Sequence, residues 1–258
     1  MKLLVSYNVF DGEELLEGSI RQIRDQVDEV ICVVQTESNY GEKYKGGFNE
    51  CMRLKLEGLV DHAYHMNPDR VTALLNETTK RNIGIQYAQE NDFTHILNMD
   101  VDEYFTPEGF ANLKRYVENT DYDWYIIPIT TYFKSPTLTV GMDKTYMPFM
   151  AKVTPELQCG RFPCSYLCDP TRKFNGEYHK ILTGDSMHHY SWVRKDIMRK
   201  VNNSTARDNI LNSSLLQDFE SAKEGYYLEH WGKKLTLAEN IFDIRDYSTK
   251  LGKASKQD

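Results

Sequence analysis

Asp100-Val101-Asp102-Glu103 follows directly on the apolar run His95-Ile96-Leu97-Asn98-Met99, and carboxylates at that spacing suit a hard divalent cation. If the backbone stays extended, its period of two sends the Asp100 and Asp102 side chains to one side while Val101 turns into packing. Two oxygen ligands then face one point, as Mg2+ or Mn2+ prefers, and such an ion takes further oxygens from a diphosphate. Chemistry that such a cation can serve is cleavage of a sugar–phosphate bond, where it neutralises the charge that grows on a departing nucleoside diphosphate. A D-x-D alone is a weak signal, since acidic residues commonly end strands. Three carboxylates at one strand end would nevertheless repel one another without a cation, which favours the metal.

The elements that must position these residues alternate along the first half. Leu3-Leu4-Val5 reads as a strand that breaks at Tyr7-Asn8 and Asp11-Gly12. Asp11 and Glu14 can form a capping box for a helix whose apolar face is Leu15, Leu16, Ile20, Ile23 and Val27. Val30-Ile31-Cys32-Val33-Val34 is a β-branched run suited to a strand buried on both faces. Asn39 to Gly47 reads as a loop, Ala63 to Met66 as a weak third strand, and Leu74 to Glu90 as a helix with Ile83, Tyr87 and Ala88 on one side. Trp124 to Ile129 is a further strand, and its Pro128 favours an edge or an end. This alternation predicts α/β layers, with ligands gathered beyond the carboxyl ends of the strands, where Asp100 and Asp102 sit. Past Thr130 the pattern loosens into loops and antiparallel pieces through about His189, then polar, helix-prone sequence from Val193 to the end. We divide the chain into a catalytic domain over 1–215 and a C-terminal helical extension over 216–258, with the Lys-rich tail after Tyr247 expected to fray.

Bulk properties narrow the function. The 258 residues, 40% of them hydrophobic, suffice for one sizeable α/β domain. A net charge of −7 gives no general basic field, so nucleic acid is not the expected partner. Five cysteines without a paired spacing, Cys159, Cys164 and Cys168 among them, point to reduced thiols rather than a disulfide framework or a zinc site. No apolar run approaches the ~20 residues of a membrane span, and the N-terminal Met1-Lys2-Leu3-Leu4-Val5 turns polar too soon for a signal peptide. We expect a soluble, cytoplasmic protein in which the sequons at Asn76, Asn202, Asn203 and Asn212 carry no glycan.

Residues 1 to about 130 resemble the family-2-like glycosyltransferases of the GT-A fold. The matching residues are Tyr7-Asn8 after the first strand, Glu13-Glu14 opening the first helix, Arg81-Asn82-Ile83-Gly84-Ile85 with Ala88, and Asn98-Met99-Asp100-Val101-Asp102-Glu103. The resemblance implies a Rossmann-like, mostly parallel sheet flanked by helices. It also implies a nucleotide-sugar donor, UDP being the commonest nucleotide, and a glycan or other hydroxyl acceptor. Tyr7 and Asn8 would then lie near the base, Glu37 near the base or ribose, and Arg81 near the donor or the D-x-D loop. Relatives commonly carry aspartates where this chain has Gln35-Thr36-Glu37-Ser38. Met187-His188-His189-Tyr190-Ser191-Trp192-Val193-Arg194 resembles the late segment that supplies a further metal ligand. Neighbours on a strand point opposite ways, so one of His188 and His189 reaches the metal. Arg194 and Lys195 are placed to meet the diphosphate.

The family's usual Glu-Asp pair is not evident, which leaves Asp169, Glu177 and Asp185 as candidate general bases. Tyr132, Phe133, Tyr166 and Trp192 offer flat faces for an acceptor sugar. The alternatives are a non-catalytic carbohydrate-binding or scaffold protein on the same fold and a sugar nucleotidyltransferase, whose Gly-rich, Arg-containing loop Tyr7-Asn8-Val9-Phe10 does not match. A haloacid dehalogenase phosphatase carries its D-x-D after the first strand, not the fourth. On the transferase reading, Asp102→Ala abolishes metal-assisted donor binding and leaves the protein folded.

Overall fold

A computed structural model describes residues 1–68 and 72–248; the tail expected to fray lies, from residue 249, outside them. β1 (Leu3–Val9) is buried throughout and leads into α1 (Glu13–Ile23), whose N-cap is Gly12 at φ 76°. Asp11 therefore does not cap the helix as its spacing with Glu14 suggests: the left-handed turn falls one residue later, and the Gly12 carbonyl accepts from Leu15 N at 2.9 Å. β2 (Glu29–Val34) follows, then α2 (Gly46–Leu56), β3 (His62–His65), α3 (Ala73–Glu90) and β4 (His95–Asp100). The residues from Asn39 do form a loop, but it ends at Lys45, and α2 is a helix that the sequence reading did not contain. It opens on Gly46-Gly47 because a Cβ on Gly47 would overlap the Phe10 carbonyl at the end of β1.

After a two-residue turn come β5 (Glu103–Tyr104) and α4 (Pro107–Glu118), which the Thr106 side chain caps by accepting from Gly109 N. The second half holds β6 (Trp124–Phe133), β7 (Leu138–Lys152), β8 (Cys159–Gly160), β9 (Lys173–Phe174), β10 (Tyr178–Lys180) and β11 (Met187–Trp192). Three short helices, α5 (Ile197–Asn203), α6 (Arg207–Leu211) and α7 (Leu215–Ser221), precede β12 (Tyr227–Leu228), β13 (Lys233–Lys234) and β14 (Thr236–Leu237). The helix-prone sequence from Val193 is thus helical only to Ser221; beyond it the described residues form turns and two-residue strands. Phe219, Leu228, Trp231 and Leu235 share a core with Phe133, Leu138 and Val140, so apolar packing runs across residue 215.

The fold is mixed α/β. Its main sheet runs β3-β2-β1-β4-β7-β6-β11-β5, with β10 also on β6 and β14 on β7. The first four strands are parallel, and β7 is antiparallel to both β4 and β6. β5 follows β4 in the chain yet pairs with β11 at the far end of the sheet, so the sheet curls until its last strand returns beside β4. Pro128 is not at an edge: β6 is interior, and the proline falls where β10 has ended at Lys180↔Ile126 and β11 begins at Met187↔Ile129.

The period of two separates the faces of β1 and β4. Leu3, Val5, Tyr7 and Val9, with Leu97 and Met99, enter the larger core under α1, α2 and α4. The opposite face reads Leu4, Ser6, Asn8 on β1 and Ile96, Asn98, Asp100 on β4, in register, apolar at one end and polar at the other. α3 lies over this face with a matching gradient. Ala88 and Ile85 pack on Leu4 and Ile96, Gly84 sits against Ser6 Oγ where a Cβ would overlap, and Arg81 reaches Asp100. Its buried face is Asn76, Lys80, Arg81, Gly84, Ile85 and Ala88, not the Ile83 side that apolar spacing picks out, because half of it covers polar groups.

Candidate active site

The cleft lies at the carboxyl ends of β1, β2 and β4 and encloses about 260 Å³. Asp100 and Asp102 both line it, with Asn8, Arg81, His189, Arg194 and Lys200. Beyond Asp100 the chain turns rather than staying extended, and the Asp102 carbonyl accepts from Tyr190 N at 2.8 Å. Val101 packs into the core.

Each acid of the motif has an arginine. Arg81 Nη2 donates to both oxygens of Asp100 at 3.2 and 3.3 Å, and Arg172 Nη1 stands 3.5 Å from Asp100 Oδ2. Arg172 also grips Glu103, donating to Oε2 at 2.9 Å and to the Asn98 carbonyl at 2.7 Å. Arg194 Nη2 donates to Asp102 Oδ2 at 2.5 Å. Burial alone would raise these carboxyls, but Arg81 and Arg172 hold Asp100 well below the usual carboxylate range, and Arg194, then His189, hold Asp102 below it. The like-charge argument for a metal therefore loses its force, because arginines already compensate the three acids.

A metal has to be judged on the atoms left over. Asp102 Oδ1 is buried without a hydrogen-bond partner and lies 3.7 Å from His189 Nε2, while the Asp100 side chain is 34% exposed. Two carboxylates and an imidazole are a fitting donor set for Mn2+ or Mg2+. As the side chains stand, though, no three His, Cys, Asp or Glu residues among those described converge on one point.

The histidine pair divides as adjacent strand residues must. His189 faces the cleft. His188 faces away, its Nδ1 3.0 Å from Tyr132 OH and its ring against Phe242, and burial pushes its pKa down to about 4; it is not placed to be a ligand in this cleft. Tyr7 leaves the site too: it is fully buried, its OH 2.8 Å from Ser19 Oγ, because odd positions of β1 face the core. Asn8, on the other face, stays in the cleft with both amide atoms unpartnered and buried. The loop after β2 reaches the cleft through Gln35, Ser38 and Asn39, while Glu37 bridges Lys43 by its backbone. Lys195 is exposed, its N–H on Glu14.

Of the three base candidates only Asp169 lines the cleft, and it also lines an adjoining cavity of about 540 Å³ with Thr145, Met147, Trp192, His230 and Trp231. Its Oδ1 accepts from Thr171 N and Oγ1 at 2.7 and 2.8 Å. Glu177 sits in a separate surface groove with Tyr166, and Asp185 lies beside Gly109 of α4 with Thr183 as partner. Tyr132 and Phe133 are core residues. Arg172 and Lys200 went unseen in the sequence: one comes from an irregular loop, the other from a two-turn helix, and neither has a motif. Burial lowers the Lys200 pKa although Asp102 draws it the other way.

No protein-family model matches the chain. Among curated proteins, 119 residues are 24% identical to the tyrosine-protein kinase Drl of Drosophila melanogaster, covering 43% of this chain and 18% of that one. The chain thus spans less than a fifth of that relative's length. Among solved structures, S. aureus TarS 1-349 superposes with a TM-score of 0.48 at 12% identity, over 83% of this chain and 67% of that one. A longer S. aureus TarS structure gives 0.46 at 13%, over 86% and 44%, and TarS 1-349 in complex with UDP-GlcNAc gives 0.41 at 13%, over 83% and 68%. We carry no residue role across from these likenesses. No helix among the described residues is long and apolar enough to cross a membrane.

Proposed function

We propose that this chain is a metal-dependent glycosyltransferase of the GT-A type, moving a sugar from a nucleotide-sugar donor to an acceptor hydroxyl. The observation that carries the reading is the pair Asp100 and Asp102 at the carboxyl end of a parallel strand, lining one cleft with Asn8, His189 and Arg194. Mn2+ or Mg2+ would be held by Asp100, Asp102 and His189, and when bound would supply charge neutralisation at the leaving diphosphate. Arg81, Arg194 and Lys200 add positive charge around the same place. Asn8 offers an amide donor and acceptor at the carboxyl end of β1, suited to the donor's polar groups. Asp169, which lines both the cleft and the cavity, would accept the acceptor's proton. The cavity beyond it, with Trp192 and Trp231, suits a sugar ring.

The test is a thermal shift with UDP, GDP and dTDP, each with and without Mn2+. UDP and UDP-GlcNAc, named in the TarS complexes, are the first probes. A ligand at about 100 times its Kd stabilises by ~2.7 kcal/mol, several degrees in Tm for a chain of this size. A shift that needs one nucleotide and the metal together supports the reading. No shift with any nucleotide, and no release of nucleoside diphosphate from UDP-GlcNAc, would sink it in favour of a non-catalytic binding protein.

A further inference from the structure

The carboxylates of the D-x-D are turned toward arginines instead of toward a common point. Arg194 covers one oxygen of Asp102, Arg81 spans both oxygens of Asp100, and no three ligating side chains among the described residues converge. These arginines are themselves incompletely satisfied. Arg81 Nε and Nη1 and Arg194 Nε and Nη1 are buried without hydrogen-bond partners, although Arg81 is 2% and Arg194 7% exposed. A guanidinium buried with N–H groups to spare is poised for an anion with more acceptor oxygens than one carboxylate, and a diphosphate is such an anion.

We infer that Arg194, and with it Arg81, is a place-holding counter-ion of the D-x-D. It occupies carboxylate oxygens that a metal would take, and an entering diphosphate draws it away and frees them. Arg194 is in this sense a positioning residue that makes metal binding conditional on the donor. The inference rests on the metal-dependent reading above. Asp102 shares its cleft with Arg194, His189 and Lys200 as well as with the acids Asp11 and Asp100, while Gly12 leaves the space that the Arg194 head occupies. The cleft, about 260 Å³, is also just under the ~300–1,000 Å³ usual for small-molecule sites, as expected of a site folded in on itself.

The experiment is a Mn2+ titration followed by electron paramagnetic resonance of the free ion. It uses the wild type, Arg194→Gln, Arg194→Lys and the double variant Arg194→Gln/Asp102→Asn, each with and without UDP, with circular dichroism to confirm folding. Removing the guanidinium should let Mn2+ alone bind about tenfold tighter or more than in the wild type, the equivalent of one charged hydrogen bond. Asp102→Asn should cancel the gain. Arg194→Lys, which keeps the charge but not the fork, should gain less in the same direction, and it decides the question if Arg194→Gln does not fold. If Mn2+ binds the wild type with UDP at an Asp102-dependent site while neither single variant gains affinity for Mn2+ alone, the place-holding role is wrong and the metal reading stands. If no protein binds Mn2+ with or without UDP, the metal reading fails and takes this inference with it.

Discussion

The two halves of the chain bring complementary charge to the end of β4. Asp11, Asp100, Asp102 and Glu103 come from the parallel β-α half together with Lys80 and Arg81, whereas Arg172, Arg194 and Lys200 come, with Asp169, from the short strands, loops and helices beyond residue 168. The parallel half shares its main core with β6, β7 and β11, and it brings Arg81 and Lys80 to the cleft beside Asp100. It lacks compensation for Glu103 and Asp102, which are buried at 1% and 4% exposure. The scaffold therefore creates an electrostatic problem at its own carboxyl edge, and the irregular half solves it. A buried ion pair of this kind adds little net stability over an apolar pair, but breaking it from one side is costly.

That asymmetry can be attacked directly. Glu103→Ala leaves Arg172 buried with its charge only half answered, which should cost ~3–5 kcal/mol and lower Tm by on the order of 10 °C in calorimetry. A fall of a degree or two would mean that the halves are not locked by charge. Asp102→Ala does the same to Arg194, so the expectation that this substitution spares the fold is revised. Asp102→Asn, which keeps the shape and an acceptor oxygen, is the better probe of metal and donor binding.

The two histidines sharpen the comparison at a smaller scale. His189→Ala should weaken Mn2+-dependent UDP binding roughly 10- to 100-fold, by analogy with lost metal-site partners, with little change in Tm. His188→Ala should leave Mn2+ dependence intact and lose about 1–3 kcal/mol of stability, since Tyr132 OH forfeits a buried partner. Equal effects of the two would dissolve the distinction between the faces of β11.

His188 also gives a pH dependence. Its folded pKa near 4 lies below the ordinary 6.5, so between those values the unfolded chain binds more protons and stability rises with pH. The contribution is fully present above about pH 6.5 and is lost as pH falls through about 4. Urea melts of the wild type should therefore show a steeper rise across that window than those of His188→Phe, and parallel slopes would contradict the assignment. Smallest of all, Glu177→Gln and Asp185→Asn should change transfer by no more than about 0.5 kcal/mol in activation free energy, while Asp169→Asn should slow it by roughly 100-fold or more.

What was legible in the sequence follows the same division. β1, β2 and β4 announce themselves because a buried parallel strand needs an unbroken apolar run, and Asp100 and Asp102 are conspicuous at the end of one. α2 escaped because it starts on two glycines and buries only Gly47, Cys51 and Leu54. The face of α3 was misjudged because its buried residues include Lys80 and Arg81, which hydrophobic periodicity places outside. Arg172 and Arg194 meet their acids across 69 and 92 residues of chain. Nothing local marks such pairings: Arg172 comes from an irregular loop before β9, and Arg194, conspicuous only for its place after the two histidines, follows the end of β11.

Gly12 has a consequence in time. Its missing side chain makes room for Arg194 Nη1, a group translated about 180 residues later, which at ~5–20 residues per second is on the order of ten seconds or more. Within that interval Asp102 waits 92 residues for Arg194 and Glu103 waits 69 for Arg172, so both acids stand without their arginines for at least a few seconds. The emerging chain is then an acidic scaffold, and it acquires a charge-matched cleft only when the segments carrying Arg172 and Arg194 dock. Synthesis itself thus keeps the site incomplete until Arg194 has followed Gly12 out of the ribosome.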